Sequence, residues 1–386
     1  MNQGTFPYIE LDTPAILINL DRLEANIKEM SDMADAAGVK LRPHTKVHQA
    51  AEIAKMQIEA GAGGIEVGNV GQAESMAEEG IEDIVIAHPF SGTHKLEILK
   101  RLLIEKRAKL IVVVDMIEQA KQLSMLGQQI DRQIFIHLKI DTGIDRFGVL
   151  PGKPLLEMAK RLCRLTGVKF SGIYAHESGA RPTKEDTDKM AFDVASTMCD
   201  AANMLRDEGI EFDSVSVGAS PTFRATCRYL KEGKFPEITE IHPGHCVIGD
   251  LVYMNALGNM RESCALTVLT TVLSSSHPDH AVIDAGFKTL GADSMIGYRD
   301  KPGFFWNRNP SYGSVEARSD LWLGRLGAET AWIFYKDPGK KLRLDDRLEI
   351  VPNNAPLVVN LHDKAYGVRN GQIEKVFKIT GRGRGS

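Results

Sequence analysis

The chain has 386 residues, 43% of them hydrophobic and 25% charged, with a formal net charge of -4. That is ordinary globular composition on a chain longer than one core usually fills, so two domains are expected, or a barrel with an appended domain. A pI near 6.3 without a basic stripe excludes a nucleic-acid binder, and no apolar run is long enough to span a bilayer. The five cysteines (Cys163, Cys199, Cys227, Cys246, Cys264) are scattered, with no CxxC pair. They argue for a reducing cytoplasm and against a disulfide framework. Met1 to Glu10 carries no signal pattern.

The β-branched apolar run from Pro14 to Leu20 predicts a buried strand, and Asp21 then caps a helix. Strand and helix signals alternate for about two hundred residues after that. Strands are expected at Lys40–Arg42, Gly64–Val67, Asp83–Ala87, Lys109–Val114, Ile134–Ile140, Lys169–Ala175, Ser214–Val217 and Glu237–Ile241. Helical patterns lie between them, among them Leu96–Ile104, Ile117–Leu126, Pro154–Leu165 and Asp186–Glu208. This alternation fits an α/β fold with a (β/α)8 barrel. A doubly wound sheet would show phosphate-binding glycines after its first strand, and this chain shows none there.

Beyond His242-Pro243-Gly244 the helical periodicity fades. Strands are expected at Ala265–Ser274, His280–Asp284, Glu329–Tyr335, Arg347–Val351, Pro356–Asn360 and Gln372–Ile379, separated by turn signals such as Arg369-Asn370-Gly371. The expected organisation is a barrel over 21–244 and an all-β domain over 245–386. The N-terminal strand within 1–20 joins that β domain, because a strand left over from a barrel must pair somewhere. The tail Gly381-Arg382-Gly383-Arg384-Gly385 reads as a frayed terminus.

Chemistry in such a barrel gathers at the C-terminal ends of the strands. Lys46 sits there in the stretch Leu41-Arg42-Pro43-His44-Thr45-Lys46-Val47-His48, with a histidine two residues to either side. A lysine at a helix start is ordinarily solvated; desolvated, it becomes a neutral amine that attacks carbonyls. His88, Arg146, Tyr174 and His176 close other strands at the same mouth. Gly218-Ala219-Ser220-Pro221-Thr222 and Pro243-Gly244-His245 are small-residue turns late in the barrel, the usual phosphate cradle. An amine opposite a phosphate cradle suggests a phosphorylated aldehyde held as a Schiff base, which is pyridoxal phosphate.

These residues resemble a family. Arg42-Pro43-His44-Thr45-Lys46-Val47-His48 is similar to the lysine motif of the D-threonine aldolase and D-serine dehydratase family, which has an alanine racemase-like barrel and a C-terminal β domain. The resemblance runs nearly end to end. It includes Asp12-Thr13-Pro14-Ala15, Lys139-Ile140-Asp141-Thr142-Gly143 with Arg146 and Gly148, Val282-Ile283-Asp284-Ala285-Gly286-Phe287-Lys288, and Asn360-Leu361-His362-Asp363 with Tyr366-Gly367-Val368. It implies that Lys46 carries pyridoxal 5'-phosphate, with His44 beside it. Arg146 would lie near the phenolic oxygen, and His176 and Tyr174 near the ring. Gly218, Ala219, Ser220, Thr222, Gly244 and His245 would cradle the phosphate. It also implies a homodimer and a small amino-acid substrate; composition and hydropathy already argue against a nucleic-acid or membrane partner.

One segment departs from the family. Relatives place a metal-binding histidine, then a cysteine or aspartate two residues later, where this chain has Asn354 and Pro356. The Glu-Glu-His-Gly stretch of relatives is altered here to Ala328-Glu329-Thr330-Ala331. Proline offers no ligand and an amide oxygen is a poor one for zinc, so no metal is expected. Losing a Lewis acid disfavours expulsion of hydroxide more than aldol cleavage. The expected reaction is therefore retro-aldol cleavage of a D-β-hydroxy-α-amino acid, with Lys46, His88 and Asp284 as catalytic candidates and His245 as a further base. A dehydratase or racemase on the same fold, or a non-catalytic cofactor carrier, are the alternatives. The stretch Gly297–Arg318, with Trp306 and Tyr312, reads either as a pocket-shaping insertion or as a surface loop.

Overall fold

The computed structural model describes residues 8–106, 108–177, 183–256, 263–293, 305–306, 309–337 and 339–385. Two compact units make up the chain. One comprises Ile27–Lys46, Ala50–Cys246 and Gly383–Ser386; the other comprises Met1–Asn26, Val47–Gln49 and Val247–Arg382. Strand β1 (Ala15–Asn19) belongs to the second.

The first unit is a parallel barrel. Its strands are β2 (Lys40–Leu41), β3 (Ile65–Val67), β4 (Asp83–Ile86), β5 (Lys109–Val114), β6 (Ile134–Lys139), β7 (Val168–Tyr174), β8 (Ser214–Val217) and β9 (Glu240–Ile241). They pair in the order β2-β9-β8-β7-β6-β5-β4-β3. The two ends of that path join each other: Gly63 N–H donates to Leu41 O and Glu66 N–H to Pro43 O, both at 2.9 Å, and His44 bridges Glu66 in parallel. Closure removes the free edges an open sheet would leave.

Side chains alternate between the two faces of each strand. Leu41, Ile84, Ile86, Leu110, Val112, Ile136 and Leu138, all buried, take one face and pack under the helices. The other face is unusually polar. Lys40, Arg42, Lys109, His137, Ser214 and Glu240 line one space with Ile111 and Phe135. Nearer the strand ends, Ile111 and Phe135 also cluster with Val85, Ala87, Val113 and Tyr174. Arg42, 1% exposed, is held between Glu240 at 2.8 Å and Asp83 at 2.6 Å. A buried guanidinium of this kind is tolerated only because both carboxylates reach it.

The second unit is a mixed sheet formed by β1 with β10 (Leu266–Ser274), β11 (His280–Ile283), β14 (Gly313–Val315), β15 (Leu321–Leu326), β16 (Ala331–Tyr335), β17 (Arg347–Pro352), β18 (Lys364–Arg369) and β19 (Gln372–Lys378). β1 runs antiparallel to β10 and parallel to β18. The ribbon β12 (Phe305–Trp306) with β13 (Asn309–Pro310) stands apart. Residues 297–304 and 307–308 of the expected insertion, and Ser178 and Gly179 after His176, lie outside the described residues. Among the described residues, no helix is long and apolar enough to cross a membrane.

One expected strand is a helix. The run Pro356–Asn360 forms the middle and end of the helix Ala355–Asn360. Its β-branched valines favour a strand, but Pro356 stands in the first turn, where its missing N–H costs nothing. Asp250 accepts from Ala355 N–H at 2.9 Å and satisfies the helix start. Strands β14, β15 and β18 had no separate signal strong enough to be expected, since glycine and charge interrupt their alternation.

Candidate active site

Neighbouring strands β2 and β9 each run into a single 3-10 turn, Thr45–Val47 and His245–Val247. The two loops lie side by side, because His44 N–H donates to Pro243 O at 2.9 Å. Thr45 Oγ1 donates to Glu66 O at 3.1 Å and ties the lysine turn to β3. Lys46 thereby stands at the barrel's C-terminal mouth. Burial lowers its pKa; Glu66 opposes the shift and Arg146 adds to it.

Glu66 is fully buried at the centre of this mouth. Tyr174 Oη donates to its Oε1 at 3.0 Å, and His44 Nε2 lies 3.6 Å from the same oxygen. Desolvation pushes its carboxyl up to about 8 against the pull of Tyr174, Lys139 and Lys46. A second lysine, Lys139, is buried here too, donating to Ala87 O at 3.1 Å and lying 4.8 Å from the Tyr174 ring centroid. Burial brings its amine down to about 8. His242 stacks on Tyr174, with centroids 4.4 Å apart and planes at 9°. Ser216 Oγ donates to Glu240 Oε1 at 3.2 Å, so in its 2.9 Å contact with His242 it accepts from Nδ1–H. That leaves His242 Nε2 as a buried lone pair without a partner.

His88 follows β4, with its ring centroid 5.8 Å from that of Phe147, and the Arg146 guanidinium lies 5.5 Å from the centroid of the same Phe147 ring. Burial first, then Lys139, Arg146 and Lys46, bring His88 down to about 4, so its imidazole is neutral at pH 7. His176 Nδ1–H donates to Gly218 O at 2.8 Å, which leaves Nε2 as the acceptor.

The cradle is built on glycine. Gly218 has φ 151°, and a Cβ there would come 2.7 Å from His242 N; at Gly244 it would come 3.0 Å from His44 O. Gly244 N–H donates to Ser220 Oγ at 2.9 Å. Buried Glu177 accepts from Gly218 N–H at 3.2 Å and from Thr222 Oγ1 at 2.8 Å. Burial raises its carboxyl to about 7. A carboxyl raised from its usual 4.5 stabilises the fold fully below that value, and the contribution is lost as pH rises through 7. Glu177→Gln removes this dependence. Between pH 5 and 8 the natural protein should therefore lose about 2–3 kcal/mol relative to the variant, read from denaturant midpoints of both.

The barrel brings together Lys46, His44, His88, Arg146, Tyr174, His176, Gly218, Ala219, Ser220, Thr222, Gly244 and His245. Asp284 belongs to the other unit, and its carboxylate is occupied. Thr13 Oγ1 and Thr270 Oγ1 each donate at 2.5 Å and Thr271 N–H at 3.0 Å, which makes it a sheet-linking acceptor rather than a base. Glu66, Lys139, His242 and Glu177 are the residues that motif reading passed over. Lys139 stood inside a quoted motif, and His242 and Glu177 each adjoined one. Glu66 had only its place in a strand run to mark it.

Where relatives carry metal ligands, the amides are engaged otherwise. Asn353 Nδ2 donates to Asp293 O and Ser311 O, both at 2.7 Å, and Asn354 Nδ2 to Asp293 Oδ2 at 3.2 Å. Asn353 Oδ1 and Asn354 Oδ1 are both buried without a hydrogen-bond partner, but two amide oxygens do not make a transition-metal donor set. Among the described residues, metal-like spacing of histidine and carboxylate occurs at His277, Asp279 and His280, on the turn between β10 and β11.

The alanine racemase N-terminal domain model matches residues 18–252, more than half of the chain. The chain belongs to the alanine racemase N-terminal domain family. A serine dehydratase domain model matches residues 265–368. D-threonine aldolase of Arthrobacter sp. is 30% identical over 384 residues, covering 98% of this chain and 94% of the relative. D-threo-3-hydroxyaspartate dehydratase of Delftia sp. is 31% identical over 367 residues, covering 90% and 91%. The crystal structure of D-threonine aldolase from Filomicrobium marinum superposes with a TM-score of 0.87 at 26% identity, covering 99% of this chain and 98% of that one. These members of the alanine racemase-like family are lyases, and the aldolases and dehydratases of the family are pyridoxal-phosphate enzymes. The mouth fits that cofactor. Arg146 lowers the pKa of both Lys46 and Lys139, so positive charge is crowded here and favours an anion, and Glu66 Oε2 and His242 Nε2 are buried polar atoms without hydrogen-bond partners.

Proposed function

We propose that this chain is a pyridoxal-phosphate-dependent lyase that cleaves a D-β-hydroxy-α-amino acid by retro-aldol chemistry, without the divalent metal of its relatives. The observation that carries the reading is Lys46. Its amine is desolvated at the C-terminal mouth of a barrel whose full-length relatives include aldolases. Lys46 would hold the cofactor, and Gly218, Ser220, Thr222 and Gly244 its phosphate. Bound there, the cofactor supplies an electron sink for charge developing at the substrate Cα.

The chain's own residues do the rest. Lys46, its pKa lowered by burial, is the amine placed to hold the cofactor's aldehyde. Arg146 offers a permanent positive charge to a substrate carboxylate or the cofactor's phenolic oxygen. His88, neutral at pH 7, takes the proton from the β-hydroxyl as the Cα–Cβ bond breaks. Tyr174 and His242 form a rigid stacked wall that excludes water from the polar centre at Glu66. Asn354 and Pro356 supply no Lewis acid, which leaves a route needing only a base and an electron sink.

Chelator-treated holoenzyme incubated with D-threonine, D-serine and D-3-hydroxyaspartate should release aldehyde from a β-hydroxy acid. Aldehydes and keto acids are assayed separately. Keto acid alone would assign a dehydratase, and activity that returns only with added divalent metal would refute the metal-free route.

A further inference from the structure

The barrel has a second polar chamber at its opposite end. A cavity of about 260 Å³ opens at the N-terminal ends of the strands, lined by Lys40, Lys109, Asp213, Ser214, Glu240 and His137, with Ile111 and Phe135 as its apolar wall. His137 is 1% exposed and its Nδ1 has no hydrogen-bond partner; Ser214 Oγ is buried and unpartnered as well. Two orphaned polar atoms in one cavity cost stability unless something that hydrogen-bonds fills it. The fixed charges balance. Lys40, Arg42 and Lys109 stand against Asp83, Asp213 and Glu240, and the cations are shared: Lys40 Nζ lies 3.8 Å from Asp83 and 4.0 Å from Glu240, and Lys109 Nζ 2.9 Å from Asp83.

A simple anion or cation would unbalance this set, whereas a zwitterion would not. Lys40 and Lys109 can meet a carboxylate, Asp213 and Glu240 an ammonium, and Phe135 and Ile111 a short side chain. The orphaned His137 and Ser214 supply the remaining hydrogen bonds. We infer that the floor of the barrel is a binding site for a small zwitterionic amino acid, separate from the mouth that carries Lys46. Glu240 also accepts from Ser216, which is bonded to His242, so floor and mouth share one hydrogen-bonded column. The inference stands whether or not the mouth performs aldol cleavage.

The probe is N,N-dimethylglycine, a zwitterion whose tertiary amine cannot form a Schiff base with the cofactor. Isothermal titration of the holoenzyme should show one saturable site per chain, with the visible absorbance of the cofactor unchanged in position. Lys40→Met and Asp213→Asn change side chains that are not fully buried, and each should weaken binding at least tenfold. Absence of saturable heat, or unchanged affinity in either variant, overturns the site. Equal affinity for sodium acetate or dimethylammonium chloride alone overturns the zwitterion.

Discussion

Lys46→Ala should lose the visible band of the lysine-bound cofactor and lower turnover on the order of 10⁴-fold or more, the scale seen when a covalent nucleophile is removed. The physical case rests on burial. A surface amine, with an ordinary pKa of 10.5, is protonated throughout the neutral range and is a poor nucleophile, whereas Lys46 is held off solvent with its pKa lowered. Lys139 is the control that gives the test its edge. It is a second buried amine at the same mouth, brought down to about 8, and its amine donates to Ala87 O. If Lys46→Ala kept a band that borohydride reduces onto the protein, Lys139 would be the carrier and the assignment would fail. Peptide mapping after reduction distinguishes the two lysines directly.

His88→Ala should retain cofactor binding and its band but slow aldehyde release by about 10²–10⁴-fold, the usual contribution of a positioned general base. The sign of its titration supports the role. With its pKa lowered to about 4, the imidazole is unprotonated throughout the neutral range and can accept a proton there. The variant should therefore lose kcat with little change in cofactor affinity, and His88→Gln, which keeps shape without basicity, should be as slow as alanine. A loss below tenfold in both variants would move the base elsewhere, with His176 next in line because its Nε2 is the acceptor nitrogen.

Much of this molecule is legible in its residues, and the remainder is not for definable reasons. Eight strand runs separated by helical patterns give the barrel, because β-branched runs and 3.6-residue periodicity are local properties. Lys46, Gly218 and Gly244 are visible at strand ends for the same reason. Asp284 misleads as a catalytic candidate. A carboxylate in a glycine-rich turn looks available in sequence, and only the folded sheet brings Thr13, Thr270 and Thr271 to occupy it. Pro356–Asn360 misleads as a strand because the capping Asp250 is 105 residues from Ala355.

The order of the barrel's elements, the strand-end lysine and the small-residue turns are written in local runs of residues. Which strand face points inward is set only when the sheet closes. Both faces of these strands carry buried residues, so alternation cannot show that Glu66, Lys139, Tyr174 and His242 point to one centre. Closing the sheet does, by joining β2 to β3 and setting Tyr174 against a glutamate 108 residues away. Burying charge in that enclosed interior is what shifts the pKa values, and desolvation is a property of the closed barrel that no stretch of chain carries alone.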